Sequence, residues 1–175
     1  MAVLVTGGVR SGKSRHAETL LPADGVTYIT PGYPADVGTD PEWSARVAAH
    51  RLRRPASWRT VETVDIASAI AEASGPVLVD CLGTWLTRLI DGWDAWEEPD
   101  ASVAVRLQPQ VDALVGAVSG HSGPLVLVTN EVGWGVVPEH RSGRVFADHL
   151  GRINQQVAAV CDTVVLMVAG RPLML

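Results

Sequence analysis

Eight consecutive residues near the amino terminus, Gly7, Gly8, Val9, Arg10, Ser11, Gly12, Lys13 and Ser14, fit the pattern G-x-x-x-x-G-K-[ST]. The chemistry this string suits is phosphate binding. Glycines let backbone N–H groups wrap an anion without Cβ clashes, and a helix that begins at the loop adds partial positive charge. A lysine in this place reaches the β- and γ-phosphates of a nucleotide, and the hydroxyl that follows ligates Mg²⁺. Lys13 is also the single lysine of the chain, set against thirteen arginines. A compact ammonium fits beneath a phosphate chain where a planar guanidinium fork does not. A glycine-rich strand-to-helix turn without a ligand is the plainer alternative, and it leaves the lone lysine to chance.

Two further groups bear on the same chemistry. Asp80 ends an apolar run, Val77-Leu78-Val79-Asp80. An acid at the carboxyl end of a strand, where α/β proteins bind ligands, is placed to hold Mg²⁺, or else to cap the helix that follows. Between Asp40 and Arg59 stand Arg46, Arg51, Arg53, Arg54 and Arg59, with only Asp40 and Glu42 opposing them. Such a stretch in an acidic chain either meets a polyanion, a nucleoside triphosphate being the economical choice, or is a solvated helix face. Helical spacing puts Arg46, His50 and Arg54 roughly on one face. Nearby cations disfavour protonation of His50, so its imidazole stays neutral. A neutral imidazole there can attack phosphorus and form a phosphoramidate, shuttle a proton, or merely hydrogen-bond at the surface. The residue types leave these open. The other histidines, His16, His121, His140 and His149, lack metal-ligand spacing, and no G-x-S-x-G elbow supports acyl transfer.

The elements that must position these groups alternate along the chain. Near-continuous apolar runs at Val3–Thr6, Val26–Thr30, Val77–Cys81, Leu125–Thr129 and Thr163–Val168, with Leu173–Leu175 as a last strand, predict a mostly parallel sheet covered on both faces. Helices are predicted over Lys13–Leu21, Pro41–Arg53, Ile66–Ala73, Leu82–Asp91, Ala101–Val118 and Pro138–Val160. Asp40-Pro41 and Val137-Pro138 mark helix starts, since proline at the first helical position gives up a hydrogen bond the helix end lacks anyway. The loop Gly92–Asp100, with Trp93 and Trp96, reads as an exposed connection whose tryptophans pack on a neighbour or form a local cluster. The fold class is therefore α/β, with one domain over residues 1–175.

Composition narrows the function. Fourteen Lys and Arg against nineteen Asp and Glu give a formal charge of −5. Net acidity argues against a general nucleic-acid binder, which needs a basic face to displace phosphate counterions. No apolar run approaches the roughly 20 residues that span a bilayer, so no membrane insertion is expected. The amino terminus lacks a basic leader, and Cys81 and Cys161 are too few and too far apart for a metal site or disulfide framework. Both features predict a cytoplasmic protein with buried thiols.

At four places, in order, the sequence resembles the bifunctional adenosylcobinamide kinase/adenosylcobinamide-phosphate guanylyltransferase family of cobalamin biosynthesis. They are VTGGVRSGKSRHAE at Val5–Glu18, the Glu42–Trp58 segment with RVAAH at Arg46–His50, VDCLGTWL at Val79–Leu86, and the stretch from Val128 to Leu175. The most particular parts are Asn130-Glu131-Val132-Gly133 and Gly151-Arg152-Ile153-Asn154-Gln155. The resemblance implies a RecA-like P-loop domain that phosphorylates the aminopropanol hydroxyl of adenosylcobinamide from ATP or GTP. It then implies GMP transfer from GTP to that phosphate, with release of pyrophosphate. It maps a covalent guanylyl-histidine onto His50 and makes Lys13 catalytic. GTP contacts would fall on Gly7 to Ser14, on Pro31, Gly32 and Tyr33, on Arg51, Leu52, Arg53 and Arg54, and on Glu62. It further implies a homotrimer with the nucleotide at a subunit boundary. Two departures are the Pro- and Gly-rich Pro31–Thr39 and Gly83, where a bulkier residue is expected. The base of the kinase step is unassigned: Glu131, just beyond a strand end, is a candidate and equally a structural cap. A kinase without the transferase step, or a nucleotide-binding module without turnover, are the rival readings.

Overall fold

The computed structural model describes residues 1–34 and 54–175, together with Ala45 and Ala48. His50, Arg51, Leu52 and Arg53 lie outside the described residues, as does nearly all of the helix expected over Pro41–Arg53.

Seven strands form one sheet: β1 (Ala2–Gly7), β2 (Thr27–Thr30), β3 (Arg59–Glu62), β4 (Val77–Asp80), β5 (Leu125–Val128), β6 (Thr163–Val168) and β7 (Arg171–Met174). Their order across the sheet is β3-β2-β4-β5-β1-β6-β7. All neighbours are parallel except β6 and β7. Among the described residues, five helices with given bounds flank them: α1 (Lys13–Thr19), α2 (Ile66–Glu72), α3 (Leu82–Gly92), α4 (Asp100–Gly120) and α5 (Arg141–Ala158). Continuous apolar strands became central here because both faces are covered: every residue of β1 and of β5 is buried. In α3 the buried Leu82, Trp85, Leu86, Leu89 and Ile90 recur at helical spacing.

Among the described residues the two faces are covered unequally. Alternation sends Ala2, Leu4, Leu125, Leu127, Val77 and Val79 to one side, where the large core gathers side chains from α2, α3, α4 and α5. Val3, Val5, Leu78, Val126 and Val128 point the other way, to a smaller core completed by Ala17 of α1, Tyr28 and Trp58. Trp93 and Trp96 pack against the large core as a local cluster.

Three expectations need correction. β3 is a strand the sequence does not advertise, because a polar segment at a sheet edge needs only backbone pairing with β2 and leaves most of its side chains exposed. β7 begins at Arg171, two residues before the expected Leu173, because Ala169 and Gly170 both take positive φ (48° and 77°) and make a tight hairpin from β6. Helix α5 begins at Arg141 rather than Pro138. The Pro138 and Glu139 carbonyls accept from the Arg144 guanidinium, and Pro138 folds back onto Gly143.

Candidate active site

The loop Gly7–Ser14 leaves the carboxyl end of β1 at the middle of the sheet. Its shape depends on two glycines. Gly7 has φ +155°, and a Cβ there would come within 2.7 Å of both the Met167 carbonyl and Ser11 Oγ. Gly12 caps α1 with φ +93° and offers no side chain, so the first-turn N–H groups stay open to a ligand. The loop is braced from within by Ser11 N–H donating to the Gly8 carbonyl (3.2 Å) and from outside by the β6–β7 hairpin, where Gly170 N–H donates to the Ser11 carbonyl (3.0 Å). Lys13 Nζ donates to the Gly8 carbonyl (3.0 Å), which holds the ammonium over the loop. Ser11 Oγ is buried and, among the described residues, has no hydrogen-bond partner. A polar atom so placed is costly unless something completes it.

Asp80 stands at the end of β4 on the same face of the sheet as α1. The Tyr28 hydroxyl, from β2, donates to Asp80 Oδ2 (3.3 Å). Burial first, then the Asp80 charge, pushes the Tyr28 phenol well above its ordinary range, so it remains a neutral donor. The Arg54 guanidinium lies 3.7 Å from the centroid of the Tyr28 ring, a cation–π contact, and also reaches Thr60 Oγ1 at 3.4 Å. Lys13 is near enough for its charge to act on the Cys81 thiol. That thiol is nonetheless raised, by burial and then by Asp80, which makes it a poor nucleophile.

The sequence-predicted residues therefore fall into separate groups. Lys13, Ser14, Asp80 and Arg54 share one face of the sheet. Arg54 and Glu62 line a single cavity of about 710 Å³ with Pro55, Ala56, Trp58 and Thr60. Pro31, Gly32 and Tyr33 are carried away from the loop onto α3: Arg88 donates to the Pro31 and Gly32 carbonyls, and Tyr33 donates to Asp91 Oδ2 (2.7 Å). Tyr28 and Thr60 join the site without any motif to mark them. Tyr28 reads as one more apolar residue of a buried strand, and only the β2–β4 pairing brings its hydroxyl to Asp80.

On the opposite face a second group meets the loop. Glu131 N–H donates to the Gly7 carbonyl (3.0 Å), and Thr6 Oγ1 donates to Glu131 Oε2 (3.1 Å). Just upstream, Thr129 Oγ1 donates to Asn154 Oδ1 (2.6 Å), and Asn154 Nδ2 returns a bond to the Asn130 carbonyl (3.0 Å). A hollow of about 580 Å³, lined by Thr87, Trp96, Ser142, Gly143 and Phe146, opens on this side between α3 and α5. Gly83 sits where a Cβ would touch both Phe146 and Asn130, at 3.5 and 3.6 Å, so its small size lets α3 approach this segment closely. The buried His149 is not part of either group. Its Nε2 lies 3.0 Å from Asp100 Oδ1 without hydrogen-bond geometry, and burial lowers its pKa.

A family model described as cobinamide kinase / cobinamide phosphate guanyltransferase matches residues 3–175. The bifunctional adenosylcobalamin biosynthesis protein CobU of Escherichia coli (strain K12) is 39% identical over 179 residues, covering 97% of each chain. CobU of Salmonella typhimurium is 39% identical over 184 residues, again covering 97% of each. CobP of Pseudomonas aeruginosa is 40% identical over 179 residues, covering 99% of this chain and 96% of its own. Among solved structures, a prototypical ATPase from the type III secretion system aligns at TM-score 0.47 and 12% identity, over 94% of this chain and 50% of that one.

Proposed function

The chain belongs to the cobinamide kinase / cobinamide phosphate guanyltransferase family, and from that premise we propose how its residues divide the two transfers. The enzyme is a transferase of cobalamin biosynthesis with a P-loop domain. In our reading that domain spans residues 1–175. In the kinase step the backbone of Gly7–Ser14 cradles the β- and γ-phosphates of ATP or GTP. Lys13 swings from the Gly8 carbonyl onto them, and the buried Ser11 hydroxyl gains its missing partner. What carries this reading is the placement of Lys13, Ser14 and Asp80 on one face at the end of the sheet.

Ser14 and Asp80 are oxygen donors, and one carboxylate with one hydroxyl suits Mg²⁺, which keeps several waters and takes the rest of its shell from substrate phosphates. When bound, Mg²⁺ would neutralise charge on the transferring phosphoryl group. Tyr28 keeps Asp80 oriented by donating to Oδ2.

For GMP transfer, His50 is the nucleophile. Its imidazole nitrogen attacks the α-phosphorus of GTP, the bond to the bridging oxygen breaks, and pyrophosphate leaves. An oxygen of cobinamide phosphate then attacks the same phosphorus, the P–N bond breaks, and His50 is regenerated. Two modest barriers replace one high one. Arg51, Leu52, Arg53, Arg54 and Glu62 belong to this site, and the cavity lined by Arg54 and Glu62 supports it. Pro31, Gly32 and Tyr33 complete the GTP contacts of this reading, although Arg88 and Asp91 of α3 hold them apart from the loop. The same reading makes the enzyme a cytoplasmic homotrimer acting on a corrinoid, with no nucleic-acid partner. The exposed apolar side chains of Val9, Trp134, Val136 and Val137 favour association, and no described helix is long and apolar enough to cross a membrane.

The test is direct. GTP labelled at the α-phosphate should leave an acid-labile, alkali-stable label on the protein, and His50→Ala should abolish both the label and GMP transfer. Retention of the label in His50→Ala would overturn the assignment. Phosphorylation without any covalent GMP would reduce the enzyme to its kinase half.

A further inference from the structure

We propose that Glu131 is the general base of the kinase half-reaction, taking the proton of the acceptor hydroxyl on the face of the sheet opposite Lys13. The proposal rests on the two-step reading above. In transfer to an alcohol, the attacking and leaving oxygens lie roughly in line across the phosphorus. The nucleotide occupies the loop and the α1 face, where Lys13, Ser14 and Asp80 stand. An acceptor that approaches from the other side of the loop meets that requirement.

The geometry supplies a carboxylate there. Alternation along β1 puts Thr6 on the same side as Leu4, the α2–α5 side. Glu131 is fixed to that side at two points, its N–H to the Gly7 carbonyl and its Oε2 to Thr6 Oγ1. These bonds tie it to Thr6 and to Gly7, the first residue of the phosphate loop. The approach to Glu131 is itself held: Asn154 of α5 bonds both Thr129 and the Asn130 carbonyl.

Competing bases fit less well. Asp80 lies on the nucleotide face and accepts from Tyr28. Cys81 packs against the core on the α1 face, away from Glu131. His149 sits in the helical layer, 2% exposed, beside Asp100. Room for a large acceptor exists on the Glu131 side, where the hollow lined by Trp96 and Phe146 opens beside the Asn130 segment.

The step balances as follows. The acceptor oxygen forms a bond to the γ-phosphorus, and the bond from that phosphorus to the β–γ bridging oxygen breaks, releasing the nucleoside diphosphate. The hydroxyl proton passes to the Glu131 carboxylate and later to water. GMP transfer needs no such base, because its acceptor is already an anionic phosphate.

That difference provides the experiment. Glu131→Gln keeps the size and the acceptor oxygen for Thr6 but removes the base. With cobinamide and ATP, kcat for phosphorylation should fall by about 10²–10⁴-fold, with nucleotide KM at its wild-type value. GMP transfer to pre-formed cobinamide phosphate should continue at the wild-type rate, which also reports that the variant is folded. Glu131→Asp should recover part of the lost phosphorylation. Near-normal phosphorylation by Glu131→Gln, or a parallel loss of both half-reactions, would overturn the proposal. A wild-type enzyme that fails to phosphorylate cobinamide would instead sink the functional reading beneath it.

Discussion

The two faces of the sheet are built for different purposes. The face covered by α2, α3, α4 and α5 is a thick aliphatic layer whose largest fully buried side chain is Trp85. Among the described residues the face covered by α1 is thinner, and its core mixes Tyr28 and Trp58 with valines, Leu78 and Met167. Charged and polar groups of the phosphate site crowd the thin face: Lys13, Ser14, Asp80 and Arg54. Desolvating so many charges would be costly under a thick layer. The fold separates the two demands, placing its packing on one side and most of its chemistry on the other. Glu131 is the exception, reaching the loop from the thick side.

The contrast can be broken most decisively with two tryptophans. Trp85 Nε1 donates to the Val64 carbonyl (2.8 Å) and Trp58 Nε1 to the Ala23 carbonyl (3.0 Å). Each indole is thus anchored alike, one on each face. Trp85→Ala should cost about 3–5 kcal/mol of stability in urea unfolding. Trp58→Ala should cost clearly less, while weakening nucleotide binding because Trp58 lines the cavity with Arg54 and Glu62. Equal costs would remove the asymmetry of support.

Next in size is Lys13→Ala. Loss of its ammonium should lower kcat for phosphorylation by about 10²–10³-fold, with the urea midpoint at the wild-type value. A large fall in stability would mean that Lys13 braces the thin face rather than the phosphates. The smallest effect belongs to Tyr28→Phe. It removes one hydrogen bond to Asp80 and leaves the ring under Arg54, so stability should change by about 0.5–1.5 kcal/mol. The Mg²⁺ concentration needed for half-maximal phosphorylation should rise. An unchanged Mg²⁺ requirement would show that Asp80 does not depend on the phenol for its orientation.

Legibility in the sequence followed the same division. The phosphate loop could be read directly because its determinants are local: a strand, two glycines, a lysine and a helix within fourteen residues. Helix α3 could be read from its apolar spacing. β3 could not, since Arg59–Glu62 carries no apolar pattern and is a strand only by pairing with β2. The start of α5 was displaced by Arg144, a side chain that captures two carbonyls ahead of its own helix. The bonds of Asn154 to Thr129 and Asn130 join residues 25 and 24 positions apart, and no spacing rule announces them. The docking of Pro31–Tyr33 on Arg88 and Asp91 was hidden for the same reason.

Strand β1 has one more consequence, and it concerns time. It pairs with β5 and β6, both from the last third of the chain, and Ala2 N–H donates to the Asp162 carboxylate (2.7 Å). The residues of β1 thus leave the ribosome well before the strands they pair with. Contacts of such long sequence separation slow folding. The hairpin at Ala169-Gly170 braces the phosphate loop only once it too has emerged. A nascent chain therefore carries the complete nucleotide-binding string long before the segments that brace it into a cradle have been made.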